Sequence, residues 1–224
     1  MVIEKIHAVW LGNRLSALAL ACIDDWNKQG FEYKVWTEED SLIKKWINEC
    51  EFAKECYDRK LYAFVSDYLR LKVLQHEGGL YLDTDVTIRK KPFHLFEGQQ
   101  FVIGFASENH VGISTIYSMP DSDVLNDVIC FYENEIMQSP LFMGPKIMSK
   151  FVLEGNYKGI KILPIDYFHG YKGKGKEHIP CSDNYVIHWG EFSWKNPKKV
   201  SYLKSKHMGF WGKLYTSQKY LFRK

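Results

Sequence analysis

Residues 60–88 read KLYAFVSDYLRLKVLQHEGGLYLDTDVTI. From Lys60 to Glu77 there is neither glycine nor proline, and Gly78-Gly79 then stop what reads as the longest helix of the chain. Leu80 to Asp83 is an apolar run ending in an acid, which predicts a strand that delivers Asp83 and Asp85 at its carboxyl end. In open α/β sheets ligands sit beyond the carboxyl ends of strands, so this Asp-x-Asp falls where a site is expected.

The elements around it predict the same class of fold. Ile3–Trp10 reads as a strand, Ser16–Gln29 as a helix closed by Gly30, and Tyr33–Trp36 as a second strand. Thr37-Glu38-Glu39-Asp40 has the spacing of a capping box and is expected to open the next helix. Strand, helix, strand and helix in succession argue for an α/β sheet with parallel neighbours. Phe101–Ala106 and Gly112–Met119 read as further strands. Helices are expected from Asp121 to about Met137 and from Gly144-Pro145 to about Leu153. Ile160–Pro164 and Tyr185–Trp189 read as strands, and residues 170–180 as a flexible basic loop.

Composition bounds the rest. With 224 residues, 46% hydrophobic and 16% aromatic, the chain suits one domain with a sizeable core and excludes a disordered polymer. Five cysteines without a CxxC suggest neither a disulfide framework nor a zinc site; free thiols in a reducing cytoplasm are the expectation. RLSALALAC at 14–22 faintly resembles an export signal. Its apolar residues recur at helical spacing, and Asp24-Asp25 follow, so an amphipathic helix explains it better. No run reaches transmembrane length.

The net charge of +3 is unevenly spread. Phe192 to Lys224 holds nine Lys/Arg and no acid, so the first 191 residues sum to 3 − 9 = −6. Trp194, Tyr202, Phe210, Trp211, Tyr215, Tyr220 and Phe222 interleave with these cations. Residues 195–224 therefore read either as a solvated basic tail or as a surface for an anionic membrane. No nucleic-acid-binding motif accompanies the charge, so no nucleic acid is expected as a partner.

Several side chains could carry chemistry. Asp83 and Asp85 can share a hard divalent cation such as Mn²⁺ or Mg²⁺. Such a cation suits the two phosphates of a nucleoside diphosphate. Asp67 and Arg70 share one helix face, either as a plain ion pair or as contacts for sugar hydroxyls and phosphate. Trp10 is core or a stacking platform for a base, and Tyr81 packs or meets a ribose. His188 is a core histidine or a third metal ligand, and Ser193 and Trp194 are within reach of a diphosphate. A competing reading takes D-T-D-V-T as an aspartate-based phosphohydrolase loop, with Asp83 as nucleophile and Thr87 as its threonine. A third is a sugar-nucleotide binder without catalysis.

Three blocks, IHAVWLG (6–12), FVSDYLRLKVLQHEGGLYLDTDV (64–86) and IHWGEFSW (187–194), resemble glycosyltransferase family 32. Capsular-polysaccharide transferases and the catalytic domains of glucosylating toxins belong to that family. The resemblance implies a GT-A fold, a Rossmann-like mixed sheet flanked by helices, over residues 1–194. It implies metal-dependent, retaining transfer from a UDP- or GDP-sugar to a saccharide acceptor, lipid-linked in polysaccharide biosynthesis, at the cytoplasmic face of a membrane. It assigns the base to Trp10 and Val9. Asp67, Arg70, Tyr81 and Asp83 would take donor sugar, phosphate and ribose. Asp85 would ligate Mn²⁺ or Mg²⁺ with His188 or Ser193, and Trp194 would close over the β-phosphate.

Overall fold

The computed structural model describes residues 1–12, 14–171, 182–190 and 200–221. Its centre is a six-stranded sheet in the order β2-β1-β3-β6-β5-β7. The strands are β1 (Lys5–Val9), β2 (Glu32–Trp36), β3 (Gly79–Leu82), β5 (Phe101–Ser107), β6 (His110–Ser118) and β7 (Ile160–Leu163). β1 is parallel to β2 and β3, β5 is parallel to β7, and β6 is antiparallel to both its neighbours. This is the mixed α/β sheet that the GT-A resemblance implies.

Helices cover both faces. On one lie α2 (Ser41–Glu49), α3 (Glu51–Asp58), α4 (Tyr62–Glu77), α5 (Asp123–Asn134) and α6 (Gly144–Glu154), around a large core that includes Trp36, Tyr68, Leu69 and Phe131. On the other lie α1 (Ala17–Lys28) and α7 (Ile165–Phe168), around Trp26, Leu80, Phe96 and Phe168. α4 follows the expected boundaries closely. It is ended by Gly78 and Gly79, both at positive φ. A Cβ at Gly79 would stand 2.6 Å from the carbonyl of Lys5, so the β1–β3 approach requires glycine there.

A second, two-stranded sheet pairs β4 (Val86–Ile88) with β8 (Val186–His188), in antiparallel register Val86↔His188. The sequence gives little sign of it, since each strand has three residues and about a hundred residues separate them. α1 holds this ribbon down. Trp26 Nε1 donates to the Val86 carbonyl at 2.8 Å, Gln29 Nε2 donates to the Ile88 carbonyl at 2.7 Å, and Asp25 accepts from Ile88 N at 3.0 Å.

The expected capping-box bonds are made, Thr37 N donating to the Asp40 carboxylate at 2.9 Å and Glu39 N to Thr37 Oγ1 at 3.2 Å, but in a turn just ahead of the helix. Residues Thr37 to Asp40 form a turn, and α2 begins at Ser41 with Asp40 as N-cap. The Asp40 carboxylate also pairs with Lys34 at 3.0 Å and makes no cap bond to α2 itself. Helix α3 has no counterpart in the sequence reading. Of the basic loop expected at 170–180, residues 172–180 lie outside the described residues. Near the end of the chain are α8 (Ser201–Ser205) and α9 (Phe210–Leu221). Among the described residues no helix is long and apolar enough to cross a membrane.

Candidate metal and donor site

Asp83 follows β3 directly, and its N–H donates to the Ser114 carbonyl at 2.8 Å, which prolongs the β3–β6 ladder by one step. A turn then leads into β4, with Val86 N donating to the Asp83 carbonyl at 3.1 Å. Asp85 is thereby set at the start of the ribbon, opposite the end of β8. Trp189 N donates to the Asp85 carbonyl at 2.9 Å and closes the ribbon. His188 Nε2 consequently lies 3.3 Å from Asp85 Oδ1. One ligand atom each from Asp83, Asp85 and His188 falls within 4.8 Å of the others. Two carboxylates and an imidazole at that spacing fit a divalent cation such as Mn²⁺.

The surroundings of His188 favour protonation of its ring. Burial opposes protonation, but the hydrogen bond to Asp85 and the charges of Asp85 and Asp83 outweigh it and raise its pKa. A cation competes for the same nitrogen, so metal binding and proton release are linked.

Asp67 and Arg70 of α4 converge on the same strand end. Arg70 is 3% exposed, and five acceptors surround its five N–H bonds. Nε donates to the Ser66 carbonyl at 3.1 Å, Nη1 to the Ile113 carbonyl at 2.7 Å, and Nη2 to Asp67 Oδ1 at 2.8 Å and Ser66 Oγ at 3.3 Å. Nη1 also lies 3.0 Å from Asp83 Oδ1. The guanidinium thus donates to protein acceptors, among them Asp67, the ion pair that was one of the two readings their spacing allowed. It stacks over the buried Tyr81 ring at 4.7 Å, and the Tyr81 hydroxyl donates to Asp83 Oδ1 at 3.0 Å.

Asp67 is the counterpart of this pair. Burial is the largest influence and pushes its carboxyl up to about 6; Arg70 works against that push and Asp83 adds to it. Its second oxygen accepts from Gly144 N, the first residue of α6, at 3.3 Å. A Cβ at Gly144 would stand 2.6 Å from that oxygen, so the close approach of α6 to α4 depends on glycine.

The other expected site residues divide. Val9 is buried in the larger core, and Trp10 is half-buried just past β1, its N–H donating to the Trp36 carbonyl at 2.9 Å. Ser193 and Trp194 lie outside the described residues. Thr87 has a role the phosphohydrolase reading did not give it, since its Oγ1 accepts from Trp189 Nε1 at 3.1 Å. Asp83, the nucleophile in that reading, has one oxygen tied to Tyr81 and Arg70. Two neighbours, Tyr171 and His169, have no part in the sequence reading. Trp189 stands beside Tyr171, ring centroids 5.3 Å apart, and His169 lies edge-on to His188 at 6.1 Å.

Parts of the chain are similar to known proteins. Residues 16–102, which carry α4, β3 and Asp83-Thr84-Asp85, match the family described as "Glycosyltransferase sugar-binding region containing DXD motif". This segment is similar to the sugar-binding region of DXD glycosyltransferases. "Subversion of eukaryotic traffic protein A" of Legionella pneumophila subsp. pneumophila is 27% identical over an alignment of 108 residues, covering 37% of this chain. The chain spans 17% of the length of that relative. Two solved structures are similar. "PaToxG Glycosyltransferase" has a TM-score of 0.49 at 18% identity, over 68% of each chain. A glycosyltransferase involved in the glycosylation of the major capsid of PBCV-1 has a TM-score of 0.46 at 9% identity, over 82% of this chain and 92% of its own.

Proposed function

We propose that this chain is a metal-dependent, retaining glycosyltransferase that moves a sugar from a nucleoside-diphosphate sugar to a saccharide. The observation that carries the reading is the convergence of Asp83, Asp85 and His188 beyond β3, with Asp67 and Arg70 packed behind them, all but His188 within the segment similar to a DXD sugar-binding region. Asp85 and His188, with Asp83 beside them, would hold Mn²⁺ or Mg²⁺. When bound, the cation supplies charge neutralisation for a departing diphosphate.

The protein's own groups position and orient. Arg70 fixes Asp67 and Asp83 by direct contact, so two carboxylates that would otherwise repel face the donor in set positions. Those carboxylates accept from sugar or ribose hydroxyls, while Trp10 flanks the base. Gly144 N anchors Asp67 from the acceptor side. In the transfer, the bond from the anomeric carbon to the diphosphate oxygen breaks and its electron pair leaves with the diphosphate. The acceptor oxygen bonds to the same face of that carbon, and its proton passes to a diphosphate oxygen. No side chain need act as nucleophile, and the protein's contribution is positional and electrostatic.

We further place Ser193 and Trp194 at the diphosphate, take the donor as a UDP- or GDP-sugar, and take the acceptor as a lipid-linked saccharide at the cytoplasmic face of a membrane. Residues 1–194 would form the catalytic unit. Incubation with a panel of nucleotide-sugars, with and without Mn²⁺, tests the reading through release of nucleoside diphosphate. Metal-dependent release from at least one donor is expected, whereas release of inorganic phosphate from simple phosphate esters would favour the phosphohydrolase instead.

A further inference from the structure

Eight large apolar side chains stand exposed among the described residues, and four of them, Met208, Phe210, Trp211 and Leu214, fall within seven positions. Scattered exposure is ordinary; a cluster marks a contact surface. Phe210 is 73% and Trp211 77% exposed, with ring centroids 5.2 Å apart. Phe210 and Leu214 are four apart on α9 and so share a face. Lys213 beside them is exposed.

The segment that carries this cluster is fastened to the catalytic domain. Leu203 of α8 is fully buried in the larger core, and Lys206 is 4% exposed and donates to the Ser139 carbonyl. The Tyr202 ring lies under the Arg59 guanidinium at 4.0 Å. α9 packs on α8. The aromatic pair is therefore presented from a fixed bracket, Val200 to Lys206, and the ordering cost of holding it there is met before any partner arrives.

The charge of the segment selects the partner. Nine cations and no acid between Phe192 and Lys224 oppose pairing with a second copy of the same segment and favour an anionic surface. We propose that α9 is a membrane foot: Phe210, Trp211 and Leu214 enter the boundary between headgroups and acyl chains of an anionic bilayer, with Lys213 and the adjoining cations among the phosphates. The inference stands apart from the transferase reading, because it concerns binding and uses none of the site residues.

The test is co-sedimentation of the full chain with vesicles of phosphatidylcholine alone or mixed with phosphatidylglycerol, at low and at physiological salt. Binding to the mixed vesicles is expected, weakened by salt. The Phe210→Ser/Trp211→Ser variant should partition about tenfold or more less well, through lost apolar insertion. Lys213→Ala should partition about fivefold less well. Both should keep the wild-type melting temperature, since these side chains are exposed. Three outcomes would overturn the proposal. These are absence of sedimentation with anionic vesicles, equal sedimentation of wild type and the double variant, and a dimer in light scattering that the double variant abolishes.

Discussion

His188 Nε2 lies 3.3 Å from Asp85 Oδ1 because Val86 and His188 are register partners across the β4–β8 ribbon. Neither residue reaches the other through the main sheet. The cation site thus depends on a small ribbon that α1 clamps from below. Replacing His188 by Ala removes one ligand and leaves the carboxylates. Mn²⁺ affinity, measured by calorimetry, should fall about tenfold or more, and Asp85→Asn should lower it further, because it removes charge as well as a ligand. Unchanged Mn²⁺ affinity in Asp85→Asn would place the cation elsewhere.

Arg70 holds two carboxylates and the Ile113 carbonyl from a nearly buried position. Arg70→Ala should leave Asp67 and Asp83 uncompensated and cost about 3–5 kcal/mol of stability in urea unfolding. Arg70→Lys should recover only part of this, because an ammonium cannot satisfy a planar set of five acceptors. A fully stable Arg70→Ala protein would show that the guanidinium is not the organiser of the site.

Asp67 sets a pH dependence with a definite sign. Its carboxyl is raised by burial from 3.8 to about 6. The stability it contributes is fully present below the unfolded value and is lost as pH rises through about 6. Asp67→Asn is neutral throughout. The stability of wild type relative to this variant should therefore fall as pH rises from about 4 to about 6, then level off. A rise across that window would contradict the burial argument.

Gly144 is a steric requirement. The Cβ of Gly144→Ala would stand 2.5 Å from Ile113 Cδ1 and 2.6 Å from Asp67 Oδ2. The substitution should cost about 1–3 kcal/mol by overpacking. It should also raise the donor KM more than it lowers stability alone would explain, because Asp67 must move. A variant with wild-type melting temperature and KM would show that α6 yields freely.

Much of this site was legible in the sequence. An uninterrupted helix, two glycines and an apolar strand ending in Asp-x-Asp are local signals, and each corresponds to α4, Gly78-Gly79 and β3. The shared face of Asp67 and Arg70 followed from their spacing. Direction did not follow, because the acceptors that turn Arg70 inward include the Ile113 carbonyl on a strand some forty residues away. β8 falls within the strand expected at Tyr185–Trp189, but β4 and its pairing with β8 escaped notice, as a three-residue strand carries little periodicity and its partner is about a hundred residues away. Thr37 to Asp40 make the reciprocal bonds their spacing suggests, but as a turn that ends where α2 begins at Ser41, a boundary that residue types alone do not set.

The most direct measurement is Mn²⁺-dependent release of nucleoside diphosphate by wild type and by Asp85→Ala, on the donor that the nucleotide-sugar panel identifies. Release by wild type and a loss of roughly a hundredfold or more in the variant are expected, since the cation's several kcal/mol of charge stabilisation would be forfeited. Equal release by both proteins, or none by wild type from any donor, would contradict the assignment.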